Sequence, residues 1–81
     1  MEDKLNPKAL TYGEKAVGIN FNPANDPKVQ KVKELYAEII DLLNMSDGNE
    51  MTKEKDILLT EATRQAQTAQ MWAVKFLTYP Y

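Results

Sequence analysis

The chain has 81 residues, 10 of them basic and 12 acidic, and it contains no cysteine and no histidine. That length is one domain. The missing thiols and imidazoles exclude disulfides, thiolate metal sites, the usual zinc, copper or nickel ligand, a triad imidazole and the commonest general base. A net charge of −2 argues against duplex nucleic acid as a partner, because that requires many phosphate contacts. A chain this short buries little surface alone, so association with further copies is expected to supply the rest of its stability.

Residues 1–25 read as an arm. Its start, Met1-Glu-Asp-Lys-Leu-Asn-Pro, is polar, and no apolar run approaches the ~20 residues of a membrane span; a cytoplasmic protein without a membrane partner is expected. Pro7, Gly13, Gly18 and Pro23 punctuate this stretch. Between them Leu10 to Phe21 has apolar content but no clean period, which predicts a wrapped arm with a single helical turn. Leu10, Tyr12, Val17, Ile19 and Phe21 are too apolar to dangle and are expected to pack on the rest.

The first long helix is predicted over 26–45. Asp26 suits the N-cap, and Pro27 suits the first helical position, where its missing N–H costs nothing. Val29, Val32, Tyr36, Ile39 and Leu43 recur at helical spacing, flanked by Leu35, Ile40 and Leu42, and predict the buried face. Ser46-Asp-Gly-Asn supplies turn formers. The second helix is predicted over 52–77, with Leu58, Leu59, Ala62, Ala66, Ala69, Ala73, Phe76 and Leu77 as an alanine-rich seam. A short connection makes the two helices antiparallel neighbours. The expected fold is all-α, a long antiparallel helical hairpin with a wrapped N-terminal arm, forming a single domain over 1–81.

The second helix carries another line, Ile57, Arg64 and Met71, with Thr60, Thr68, Lys75 and Trp72 beside it. Either the arm covers this face, or it is a subunit interface whose cations Arg64 and Lys75 are available to an anion. Lys15, Lys28, Lys31 and Lys33 form a further basic cluster. Lys28 lies in the first helical turn, where free N–H groups favour anions, and Lys33 lies at the edge of the apolar stripe, as either a phosphate ligand or a surface lysine. Tyr12 beside Gly13 offers either a bare ring for a nucleobase or a core aromatic. Gly13 to Gly18 lacks the Gly-Lys-Ser/Thr ending of a phosphate loop. Glu34, Glu38 and Asp41 are spaced as a solvated helix face, and with Glu14 they make a poor case for a catalytic acid pair. No enzymatic activity and no cofactor are expected.

Leu10-Thr-Tyr-Gly-Glu-Lys-Ala-Val-Gly with Phe21-Asn-Pro, then Val32-Lys33-Glu-Leu-Tyr, then Gln67-Thr-Ala-Gln-Met-Trp-Ala-Val-Lys75, resembles the phage-encoded cyclic-oligonucleotide sponge family. These helical-hairpin proteins counter the bacterial CBASS defence, and related domains counter Thoeris. The resemblance spans residues 10 to 77. It implies a homo-oligomer, typically a hexamer, acting in the cytoplasm of a bacterial host. Such an assembly sequesters cyclic di- or trinucleotide signals without cleaving them. It also implies that an arm tyrosine, matching Tyr12, and a first-helix lysine clamp the ligand. That lysine matches Lys33, or Lys28, since this arm is longer than in the best-known members. Gly13 and Lys15 fall in the same arm segment. Arg64, Gln67 and Lys75 fall where a separate trinucleotide site would lie. The alternative reading is a phage helical-hairpin module that binds a protein partner or regulates one.

Overall fold

A computed structural model describes residues 9–45 and 51–81, and these contain three helices and no strand: α1 (Tyr12–Val17), α2 (Pro27–Met45) and α3 (Lys53–Thr78). The expected turn at Ser46-Asp-Gly-Asn and the polar start of the arm lie outside the described residues.

Each helix begins where its local chemistry dictates. Thr11 opens α1 with a capping box: its hydroxyl accepts the Glu14 N–H at 3.0 Å, while the Glu14 carboxylate accepts the Thr11 N–H at 2.9 Å. Gly18 closes α1 at φ 62°, a left-handed conformation that a Cβ would strain. The Ile19 N–H then returns to the Glu14 carbonyl at 3.0 Å. Asn22 organises the entry to α2, accepting the Asp26 N–H and donating to its carbonyl. Asp26 accepts the Lys28 N–H at 2.8 Å, as an N-cap does. Thr52 caps α3 through the Lys55 N–H at 3.1 Å, and Glu54 and Asp56 in the first turn complement the helix dipole.

The packed line of α2 is Val29, Lys33, Ala37 and Ile40. That corrects the expected face: Val29 is buried, but Ile39 is 48% exposed, Leu35 46% and Leu42 65%. The reason is steric. Ala37 is small, and α1 approaches it so closely that a Cβ on Gly13 would collide with the Ala37 carbonyl oxygen. Bulkier neighbours on α2 cannot occupy that contact and lie outside it. The seam of α3 is shifted in the same way. Thr63 and Gln70 are buried and Leu59, Ala66, Ala73 and Leu77 half-buried, whereas Leu58, Ala62, Ala69 and Phe76 are exposed.

The helices α2 and α3 run in opposite senses where they touch. Asn44, at the end of α2, donates to Thr63 at 3.3 Å, while Val29, near its start, lines a hollow with Val74 and Thr78. Val17 and Ile19 from the arm join Ala37 and Ile40 in the central cluster, with Leu10, Tyr36 and Ala66 packed on it. Of the arm's apolar residues, Tyr12 and Phe21 are exposed, contrary to expectation.

The Cα atoms span only 12 Å along the thinnest axis, close to the ~8–10 Å between two packed helix axes. The fold is therefore thin, and its buried central cluster is small: Val17, Ile19, Ala37 and Ile40. Ile57, Met71 and Trp72, each at least 60% exposed, lie on a broad face that the described arm leaves open.

Candidate functional site

Helix α1 lies across the α2–α3 pair and creates two depressions that meet at one side chain. Gln67 lines both, and its amide donates to the Ala16 carbonyl at 3.2 Å, tying α3 to α1. On one side is a hollow of ≈ 350 Å³ lined by Tyr12, Asn44, Thr60 and Arg64. On the other is a pocket of ≈ 430 Å³ lined by Lys15, Phe21, Lys33, Gln70 and Val74. Five of the sequence candidates therefore come together on one strip: Tyr12, Arg64, Gln67, Lys15 and Lys33.

Tyr12 is the first residue of α1 and is 57% exposed, so its ring is presented and not stored in a core. Gly13 is buried beneath it. Its N–H donates to Asp41 at 2.7 Å, and its missing Cβ permits the α1–α2 approach. The glycine is thus explained by packing. The heads of Lys15 and Arg64 make no hydrogen bond or ion pair among the described residues. Asp56 lines the same hollow as Arg64, so the charge there is nearly balanced. The Lys15 side, with no acid lining its pocket, is the more favourable end for an anion.

Lys33 is 4% exposed, at the centre of the packed line and not at the edge of a stripe. Its ammonium donates to the carbonyls of Gly18 at 2.9 Å and Phe21 at 2.7 Å, and it lies 5.4 Å from the centre of the Phe21 ring. Desolvation by burial pulls its pKa below the ordinary 10.5. Two of its three donors hold the Gly18–Phe21 bend onto α2, which leaves one for anything else.

The other candidates lie apart. Lys28 is exposed in the first turn of α2 and lines neither depression. Lys75 lines a separate hollow of ≈ 340 Å³ with Thr68, Met71 and Trp72. Two lining residues escaped the sequence reading. The apolar arm pattern predicts a packed Phe21, which is 72% exposed, and the apolar pattern of α3 does not single out Gln70, which is 5% exposed. A signal for Gln70 exists, since Gln67 and Gln70 each follow an alanine of the seam, Ala66 and Ala69, at helical spacing. The strip offers aromatic faces, unengaged cations and amide donors, a set suited to binding a polyanionic aromatic ligand. Among the described residues no helix is long and apolar enough to cross a membrane. No protein-family model, curated protein or solved structure matches this chain.

Proposed function

We propose that this protein sequesters a cyclic di- or trinucleotide signal without cleaving it, as a homo-oligomer of helical hairpins, and thereby blocks a CBASS-type antiphage defence in a bacterial cytoplasm. The observation that carries this reading is the exposed Tyr12 ring on the same strip as the unengaged Arg64 and Lys15, with Gln67 between them. An aromatic face stacks a base, and each stacked base contributes about 1–3 kcal/mol; the cations hold phosphates. The resemblance carried by the arm and by the Gln67–Lys75 segment points to the same ligand class.

The oligomer reading rests on the thin fold with its small core and on the open Ile57, Met71 and Trp72 face. A cyclic dinucleotide has approximate twofold symmetry, so a twofold subunit interface provides each half with one ring and one cation. Of the two clamp lysines, Lys28 has the exposed position and Lys33 spends its ammonium on two backbone carbonyls. Lys33 thus serves as the brace of the arm, while Lys28, apart from the strip, would serve ligand only from a neighbouring subunit.

The open α3 face also suits a foreign helix, which is what a partner-binding regulatory module requires. Incubation with cyclic nucleotides, followed by heat release and chromatography, separates the possibilities. Sequestration predicts that intact cyclic nucleotide co-purifies with the protein and is released unchanged. Linearised product would replace it with an enzymatic function, and an empty protein would leave the partner-binding module.

A further inference from the structure

The side chain of Gln70 is 5% exposed, lines the ≈ 430 Å³ pocket, and makes no hydrogen bond among the described residues. A buried amide left unpaired is costly, and an apolar residue of the same size at such a site is neutral or stabilising. The neighbouring seam residues Ala66, Ala73 and Val74 would accept a leucine readily. Gln67, one turn earlier, has its partner in the Ala16 carbonyl; Gln70 has none. The amide therefore points to a ligand.

The rest of the pocket selects the chemistry of that ligand. Lys33 lines the pocket too, but its ammonium already donates to the carbonyls of Gly18 and Phe21. With two of three donors spent, it has little left to hold a phosphate, which leaves Lys15 as the pocket's unengaged cation. The walls include Met71, Val74 and the exposed Phe21 ring. Apolar walls around one unpartnered amide fit a neutral planar heterocycle whose edge carries an adjacent donor and acceptor. A glutamine amide matches such an edge with two hydrogen bonds.

We infer that Gln70 is a specificity-determining residue that reads the hydrogen-bonding edge of a nucleobase entering the pocket between the arm and α3. The phosphates of the same molecule remain outside, at the rim marked by Lys15. The inference rests on the nucleotide-sequestration reading above and adds to it the residue that discriminates between bases.

The test compares the wild-type full chain with Gln70→Leu and Gln70→Glu. Each is titrated calorimetrically with cyclic di-GMP, cyclic di-AMP, cyclic GMP–AMP and a uracil-containing cyclic dinucleotide. Gln70→Leu is expected to keep the oligomer and the melting temperature, and to bind the preferred nucleotide roughly 5- to 150-fold more weakly. The spread of affinities among bases narrows. Gln70→Glu, which accepts but does not donate when ionised, is expected to reorder the bases and not merely weaken all of them. In wild-type protein the side-chain amide signals of Gln70 shift in nitrogen–proton correlation spectra on ligand addition, a readout that needs no variant to fold. Unchanged affinity and base order in Gln70→Leu, with wild type binding, would overturn the inference and leave sequestration standing. Loss of the oligomer in Gln70→Leu, together with wild-type Gln70 amide signals that do not move on ligand addition, would overturn it too, assigning the amide to a subunit contact. Failure of the wild-type protein to bind any of the four would remove the sequestration reading and this inference together.

Discussion

Replacing Gly13 by alanine tests the packing that positions the whole strip. The added Cβ would collide with the Ala37 backbone carbonyl and lie 2.9 Å from the Asp41 carboxylate carbon and oxygen. The carboxylate can swing away, but the carbonyl belongs to the interior of α2 and cannot move without disturbing that helix. So α1 must lift, and the 2.7 Å bond from the Gly13 N–H to Asp41 is lost. Overpacking costs about 1–3 kcal/mol, and a hydrogen bond to a charged group contributes about 1.5–3 kcal/mol. The better helix propensity of alanine returns about 1 kcal/mol. The net loss is about 1.5–5 kcal/mol, or a melting temperature lower by roughly 6–40 °C for a chain this size. Thermal unfolding followed by circular dichroism measures it, at fixed protomer concentration because subunit association shifts the midpoint. A Gly13→Ala protein within about 0.5 kcal/mol of wild type, the range of an uneventful surface change, would refute the close approach. The glycine would then need another explanation, such as access to the Tyr12 ring.

Three other perturbations probe different parts of the account. Tyr12→Ala removes an exposed side chain, so stability stays within about 0.5 kcal/mol while cyclic-nucleotide affinity falls roughly 5- to 150-fold for one lost stack; calorimetry giving wild-type affinity would take Tyr12 out of the site. Lys33→Met addresses the buried ammonium, whose pKa is lowered from 10.5 by burial. Between the lowered value and 10.5 the unfolded chain holds a proton that the folded one releases, so this group's contribution to stability rises with pH across that window. Urea midpoints measured from neutral pH to 10.5 should therefore rise in wild type relative to Lys33→Met, and a flat or falling difference contradicts the assignment. Replacing Met71 and Trp72 together by glutamate places charge on the open α3 face, and light scattering should show a smaller assembly. An unchanged mass would exclude that face from the interface.

Helix boundaries were legible because they are encoded locally. Asp26 with Pro27, and Thr52 ahead of Lys53, mark the starts of α2 and α3 through side-chain oxygens and a missing N–H, with no knowledge of the rest of the fold. The short turn expected in the arm is α1. The faces were less legible. Hydrophobic period selected Ile39 and Leu43 on α2, whereas the close contact falls on Ala37, because a small residue opposite a glycine permits an approach that a large one forbids. Such complementarity depends on two distant positions, Gly13 and Ala37, that no local window joins. Periodicity marks large apolar residues such as Ile39 and Leu42 that the fold of one chain leaves exposed. Lys33 misled in the same way, since nothing in its neighbours announces that its ammonium reaches back to Gly18 and Phe21.

Sequestration requires an oligomer that holds intact cyclic nucleotide, and native mass spectrometry reads both the assembly and its cargo. The purified protein is sprayed with and without a panel of cyclic di- and trinucleotides. The expected result is an assembly of several protomers that gains the unmodified mass of one or more of these ligands in whole-number steps, and loses those steps in Tyr12→Ala. A clean monomer, or an assembly whose mass ignores the whole panel, would contradict it.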